Sequence, residues 1–70
     1  MSEHRVWRMR RRQLAVDAEL HIAADGTVDV RFFQNGTLTY SKHCATREEA
    51  MAEATAKRSE LERAGWIFHW

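Results

Sequence analysis

The sequence predicts an α+β fold in which one C-terminal helix packs on one face of a four-stranded antiparallel meander sheet. Two observations carry this prediction. Up to Cys44, apolar and polar residues alternate with a period of two, which is typical of half-buried strands. From residue 47 to 64 the apolar positions follow helical spacing. A chain of 70 residues has the length of one domain, so we assign residues 1–70 to a single domain.

The alternation predicts strands at about 5–11, 14–23, 27–33 and 37–44. The second segment is the clearest, because five of its apolar residues share one face of a strand: Leu14, Val16, Ala18, Leu20 and Ile22. The segments are separated by Asp25-Gly26 and Asn35-Gly36, which are typical turn sequences.

The length of each turn follows from the requirement that apolar faces meet across a hairpin. With a three-residue loop at 24–26, Ile22 lies opposite Val28 and the apolar faces agree. The same reasoning favours a three-residue loop at 34–36, which pairs Phe32 with Leu38. This register also predicts three pairs on the opposite face of the sheet: Glu19 with Arg31, His21 with Asp29, and Asp17 with Phe33.

The helix is predicted to begin with a capping box and to end at a glycine. Thr46 is the N-cap and Glu49 the third helical residue, the spacing at which each side chain caps the other's backbone amide. Gly65 is expected to take the left-handed conformation that ends many helices, with Trp66 as its apolar companion. An alanine-rich stripe along the helix predicts a close approach to the sheet.

Composition favours a soluble, cytoplasmic protein. Cys44 is the only cysteine, which indicates a reducing compartment and excludes an internal disulfide bond. The first residues are charged, unlike a secretory signal, and no apolar run has the roughly 20 residues that span a membrane. The net charge is +1, so composition alone does not indicate a nucleic-acid partner.

Arginines are concentrated in the first predicted strand. Such a cluster can contact the phosphates of DNA or RNA, with Trp7 available for stacking. It can equally be a solvated strand whose charges discourage aggregation at a sheet edge. The candidate nucleic-acid contacts are Arg5, Arg8, Arg10, Arg11 and Arg12.

The sheet face opposite the helix is predicted to be open and to carry carboxylates. Asp17, Glu19 and Asp29 lie on this face, whereas a sheet that enters a DNA groove is expected to be mainly basic. These residues favour cross-strand ion pairs or a polar protein interface. Phe33 is the one large aromatic residue on the same face, and it is a candidate anchor for a partner or a tolerated exposed residue.

The C-terminal segment 66–70 contains three aromatic residues. Such a segment either folds back over the seam between helix and sheet or packs against another chain, because exposed apolar patches mark interaction sites. The candidate partner interface consists of Phe33, Trp66, Ile67, Phe68 and Trp70.

No metal site, cofactor or catalytic centre is predicted. The four histidines and Cys44 lack the short ligand spacings of structural zinc sites, and His43 and Cys44 point to opposite faces of a strand. The run Ser41-Lys42-His43-Cys44 holds reactive residue types without a recognisable nucleophile–base arrangement. We therefore expect a protein that is not an enzyme and has no small-molecule substrate.

The order of these motifs resembles a group of small uncharacterised bacterial proteins with a ββββα pattern that ends in Gly-Trp. The motifs are structural, so the resemblance implies a fold and no activity. They are Trp7-Arg8-Met9-Arg10, Ala18-Glu19-Leu20-His21, Asn35-Gly36, Arg47-Glu48-Glu49-Ala50 and Gly65-Trp66.

A looser similarity is to the arm-type DNA-binding domains of phage-type integrases. In those domains a three-stranded sheet precedes a helix that opens with Thr-x-x-Glu-Ala, as Thr46, Glu49 and Ala50 do here. That resemblance implies a sheet face that meets DNA, at the level of the fold alone.

Two functions remain open from the sequence. The first is a non-catalytic protein-interaction module, with a second copy of the chain as one candidate partner, that uses the aromatic C-terminus or the open sheet face. The alternative is DNA binding through the N-terminal arginines.

Overall fold

The computed structural model describes residues 2–68, and these form an antiparallel sheet with one helix on one face. The elements in chain order are β1 (Ser2–Arg11), β2 (Leu14–Ile22), β3 (Val28–Gln34), β4 (Thr37–Cys44), α1 (Arg47–Arg63) and β5 (Ile67–Phe68). The strand order in the sheet is β4-β3-β2-β1-β5.

The α+β class, the antiparallel sheet and its single helix are confirmed, but the number of strands is corrected from four to five. After α1 the chain returns to the sheet and adds β5 beside β1, pairing Phe68 with Met9 and Ile67 with Arg10. The pairing gives hydrogen-bond partners to the backbone of this short apolar segment.

The first hairpin has the predicted register. Ile22 pairs with Val28, Leu20 with Val30, and Glu19 with Arg31. Gly26 has a φ of +88° and donates its N–H to the carbonyl of Ala23 at 3.0 Å, as expected for the three-residue loop.

The second hairpin differs from the prediction. Gln34 pairs with Thr37, so the loop has two residues, Asn35 and Gly36, both with positive φ. This is the backbone that a type I′ turn requires, and Asn-Gly is its preferred sequence. A bulge between Phe32 and Phe33 then shifts the register, and Phe32 faces Tyr40 where Leu38 was expected.

The core is organised around a row of residues that crosses four strands: Trp7, Ala18, Phe32 and Tyr40. Ala18 is small enough for Trp7 and Phe32 to stack above it, with ring centroids 6.0 Å apart. Phe32 stacks in turn on Tyr40 at 5.5 Å. Trp7 also donates its indole N–H to the carbonyl of Ala54 at 3.0 Å, which joins β1 to the middle of α1.

Both ends of the helix are capped at the predicted residues, but Glu49 caps the amide of Ala45 and not that of Thr46. Thr46 Oγ1 accepts the N–H of Glu49 at 3.2 Å, and the Glu49 carboxylate accepts the N–H of Ala45 at 3.1 Å. At the other end Gly65 has a φ of +96°, and Trp66 donates its N–H to the carbonyl of Leu61 at 3.0 Å. These contacts form a Schellman motif, which directs the chain from the helix back towards β1.

Replacing Thr46 with alanine should lower the free energy of unfolding by about 1 kcal/mol, because the N–H of Glu49 loses its acceptor. Thr55→Ala, at an exposed position in the middle of α1, is the matched control and should change stability little. Urea denaturation measures both changes. Equal effects of the two substitutions would contradict a capping role for Thr46.

Candidate functional site

An apolar groove lies between α1 and the hairpin end of β3 and β4. The helix begins beside the end of β4 and finishes beside β1, so it crosses the sheet diagonally. The helix-facing side of the β3–β4 hairpin is therefore only partly covered. The opening has a volume of about 570 Å³, within the range of pockets that hold a small ligand or a partner's side chain.

Aromatic and aliphatic side chains form the floor and one end of the apolar groove. Phe32 is almost fully buried, whereas Tyr40 continues its stack and is 46% exposed. The apolar lining consists of Val16, Phe32, Tyr40, Ala56, Leu61 and Trp66.

The rim of the apolar groove is polar, and its charges are paired. Lys42 Nζ lies 3.4 Å from Glu53, whose carboxylate raises the pKa of Lys42. Lys57 Nζ lies 3.6 Å from Glu60. Because each cation has an adjacent carboxylate, the rim offers no uncompensated charge to a phosphate or a carboxylate ligand, and it suits a neutral, apolar occupant.

The C-terminal candidates occupy three different environments. Trp66 is partly buried against the core and lines the apolar groove. Ile67 and Phe68 belong to β5 yet remain 68% and 48% exposed. Arg58 lies over the ring of Phe68, with its guanidinium carbon 5.7 Å from the centroid. Trp70 lies outside the described residues.

Phe33, the remaining interface candidate, lies on the open face of the sheet. It pairs with Leu38 on one side and Asp17 on the other, as predicted for Asp17. The two-residue turn places Leu38 opposite Phe33 on this face, where Leu38 is 50% exposed. Phe33 and Leu38 thus form a small apolar patch that is separate from the apolar groove.

The arginine cluster is divided between both faces of the sheet and a turn. Arg5, Arg8 and Arg10 share the open face with β2 residues, whereas Arg11 pairs with Leu14 on the helix side. Arg8 makes two hydrogen bonds to Asp17, at 2.5 and 2.9 Å, which compensate its charge. Arg10 donates to the carbonyl of Arg12 at 3.1 Å, and Arg12 has the positive φ of a turn residue.

Charged residues on the open face form rows across the strands. One row contains Glu3, His21, Asp29 and His43, and the next contains Arg5, Glu19, Arg31 and Ser41. His43 Nδ1 lies 2.7 Å from Asp29, and this contact lowers the pKa of the carboxyl group. The His43–Asp29 contact joins two strands, as expected for this face, whereas Arg31–Asp29 and His21–Glu19 each form within a single strand.

The reactive residue types of β4 are separated by the sheet. Ser41 and His43 share rows with open-face residues, whereas Cys44 is 1% exposed beneath the helix. Burial raises the pKa of the Cys44 thiol, which disfavours the reactive thiolate. Cys44 and His43 therefore do not combine into a nucleophile–base pair.

Sequence reasoning did not identify the apolar groove or a cluster formed by Glu3, Glu19 and His21. The groove depends on the crossing direction of α1, which no short motif encodes. The cluster has a partial signal, since Glu19 and His21 alternate onto one face of β2. Only the pairing of Glu3 with His21 completes it.

Three comparisons with known proteins return no match. No protein-family model, no curated protein and no solved structure is similar to this chain. The resemblances to small bacterial ββββα proteins and to integrase arm-type domains therefore remain predictions. Within residues 2–68, no helix has both the length and the apolar character that crossing a membrane requires.

Proposed function

We propose that the chain is a non-catalytic protein-interaction module whose partner is a second copy of itself. In the proposed dimer, Phe68 of each copy docks into the apolar groove of the other, because Phe68 lies on the helix side of the sheet whereas Ile67 faces the open side. The observation that carries the proposal is that one molecule presents both an apolar groove and an exposed apolar segment.

The two surfaces match in chemistry. The groove has an apolar floor and a rim whose lysines are paired with carboxylates, so burying a neutral side chain leaves no charge without a partner. Ile67 and Phe68 carry no charge and expose large apolar areas. Removing such areas from water contributes about 25 cal/mol per Å², the main driving force for association.

The two surfaces are also adjacent, which suits two-fold symmetry. Trp66 lines the groove, and Phe68, two residues further along the chain, pairs with Met9 on the same side of the sheet. A two-fold axis near Trp66 would bring the segment of each copy towards the groove of the other in one compact interface. Two-fold dimers in which the same surface meets itself are the commonest protein oligomers.

A non-catalytic role agrees with the side chains that surround the groove. Its charged residues are Glu53, Lys57 and Glu60, and both lysine–carboxylate contacts at the rim are surface ion pairs. The cysteine of β4 is buried, and His43 lies on the opposite sheet face.

The molecular mass in solution, measured for the wild type and two variants, tests the proposal. One variant alters the docking segment, and the other alters the groove. Phe68→Glu places a charge on the segment, and Ala56→Trp fills the groove from an exposed helix position. Sedimentation equilibrium across the micromolar to millimolar range should give a dimer for the wild type. Both variants should be monomeric, since burying an unpaired charge or blocking the groove opposes docking.

Leu38→Glu is the matched control, because Leu38 is equally apolar and exposed but lies on the open sheet face. It should dimerise like the wild type. A wild-type chain that stays monomeric throughout the concentration range would overturn the proposal. Loss of the dimer in Leu38→Glu alone would move the interface to the Phe33–Leu38 patch.

DNA binding is the second candidate function, favoured by the position of Arg5, Arg8 and Arg10 on one face of β1. It would give weak, salt-sensitive affinity that falls when Arg5 and Arg10 are changed to glutamine. An NMR titration of the wild type with short duplex and single-stranded DNA at low salt tests it. Shifts confined to β1 and lost at higher salt would favour DNA over self-association as the function.

A further inference from the structure

Glu3, Glu19 and His21 converge on the open face of the sheet, away from the apolar groove. Glu3 pairs with His21 across β1 and β2, and Glu19 lies on the same face of β2. One ligand atom from each side chain lies within 4.8 Å of the others. The histidine side chain is only 13% exposed, whereas that of Glu3 is 62% exposed and can reorient.

Both ring nitrogens of His21 face carboxylate oxygens. Nε2 lies 2.9 Å from Glu19, and Nδ1 lies 3.9 Å from Glu3. A neutral imidazole has one N–H donor and one lone pair. The nitrogen without the N–H keeps a lone pair that can bind a metal ion, while the other nitrogen can donate its N–H to a carboxylate or to water.

We propose that Glu3, Glu19 and His21 bind a divalent transition-metal ion of the zinc class on the open sheet face. Imidazole and carboxylate ligands together suit Zn²⁺, with ligand distances of about 2.0–2.2 Å. The ion would bind Nε2 of His21 and the adjacent Glu19 carboxylate, and rotation of the exposed Glu3 would bring a second carboxylate to it. Water would complete the coordination, because the site opens to solvent.

Asp29 and His43, which lie in the same cross-strand row as Glu3 and His21, are engaged elsewhere, so the proposed site has only three protein ligands. Asp29 lies opposite His21, but its carboxylate is engaged by His43 at 2.7 Å and by Arg31 at 3.4 Å. His43 is held by that contact on the far side of β3. This proposal is independent of the dimer, because the metal ligands and the apolar groove lie on opposite faces of the sheet.

Isothermal titration of the wild-type chain with Zn²⁺ tests the proposal, with thermal unfolding as a second readout. Binding should saturate at one ion per chain and raise the unfolding temperature, since an ion that binds only the folded state stabilises it. Glu3→Gln and His21→Gln should each weaken binding at least tenfold. Glu3→Gln alters an exposed side chain, so its fold should remain intact.

His43→Gln is the control, because it removes a histidine from the same row without touching the three ligands. It should bind Zn²⁺ like the wild type, and Mg²⁺ should bind far more weakly because it prefers oxygen ligands. The proposal fails if Zn²⁺ does not bind the wild type, or if Glu3→Gln and His21→Gln bind normally. It also fails if His43→Gln loses binding or if Mg²⁺ binds as tightly as Zn²⁺.

Discussion

Replacement of Trp7 by alanine should lower the free energy of unfolding by about 3–5 kcal/mol, the range for large aromatic residues in a core. Trp7 is 3% exposed, stacks on Phe32 and donates its indole N–H to the carbonyl of Ala54. Its loss would leave a cavity and a buried carbonyl without its side-chain donor. Small domains have total stabilities of about 5–15 kcal/mol, so this variant should be unfolded or nearly so at moderate temperature.

Trp7→Phe separates the two contributions of this side chain. It keeps an aromatic ring against Phe32 but removes the donor to Ala54, so its effect should be clearly smaller than that of Trp7→Ala. Urea denaturation of both variants gives the comparison. A loss below about 1 kcal/mol for Trp7→Ala would contradict the placement of Trp7 at the centre of the core.

Ala54→Leu should cost about 1–3 kcal/mol, because a larger side chain has no space between α1 and the sheet. Ala54 has no exposed surface, and its carbonyl accepts the Trp7 indole N–H. Extra methylene groups would therefore push the helix away from the sheet and lengthen that hydrogen bond.

Ala52→Leu is the matched control for this substitution. It makes the same chemical change on the exposed side of the same helix, where alanine and leucine have similar helix propensities. Thermal unfolding should show a lower midpoint for Ala54→Leu and little change for Ala52→Leu. Equal midpoints would show that α1 does not approach the sheet closely at Ala54.

The parts of the fold that depend on local chemistry were predictable from the sequence. Thr46 and Glu49 cap the start of α1, and Gly65 supplies the positive φ that ends it. The first hairpin was predictable because only one register brings its apolar faces together, as in the pair of Ile22 with Val28.

The second hairpin was not predictable from the same rule, because a bulge changes which residues share a face. The Asn35-Gly36 turn adopts the two-residue loop that its residues prefer, and the bulge at Phe32 and Phe33 restores Tyr40 to the core side. Asn35 adds a contact that the alternation does not encode, since its side-chain oxygen accepts the N–H of Ala15 at 2.9 Å.

The candidate site was predictable only in its components. The apolar character of Ile67 and Phe68 is visible in the sequence, but their pairing with β1 depends on where the Schellman motif directs the chain. The groove arises from the diagonal path of α1, which is set by tertiary contacts such as Trp7 with Ala54. A second bulge, between Arg5 and Trp7, places Glu3 opposite His21 in the proposed metal site.

The proposed dimer joins these features into one account of function. The aromatic row that builds the core ends in an exposed Tyr40, because α1 leaves that end of the sheet uncovered. The same helix ends in a motif that delivers Ile67 and Phe68 to the sheet edge with much of their surface exposed. The diagonal helix thus creates both halves of the proposed contact.

Complementation between two defective variants tests this claim most directly. Ala56→Trp blocks the groove but retains an intact apolar segment, and Phe68→Glu alters the segment but retains an intact groove. Each variant alone should be monomeric by sedimentation equilibrium. An equimolar mixture should form a heterodimer through the one remaining intact contact, with an affinity below that of the wild type. A mixture that stays monomeric at concentrations where the wild type is fully dimeric would contradict docking of the segment into the groove.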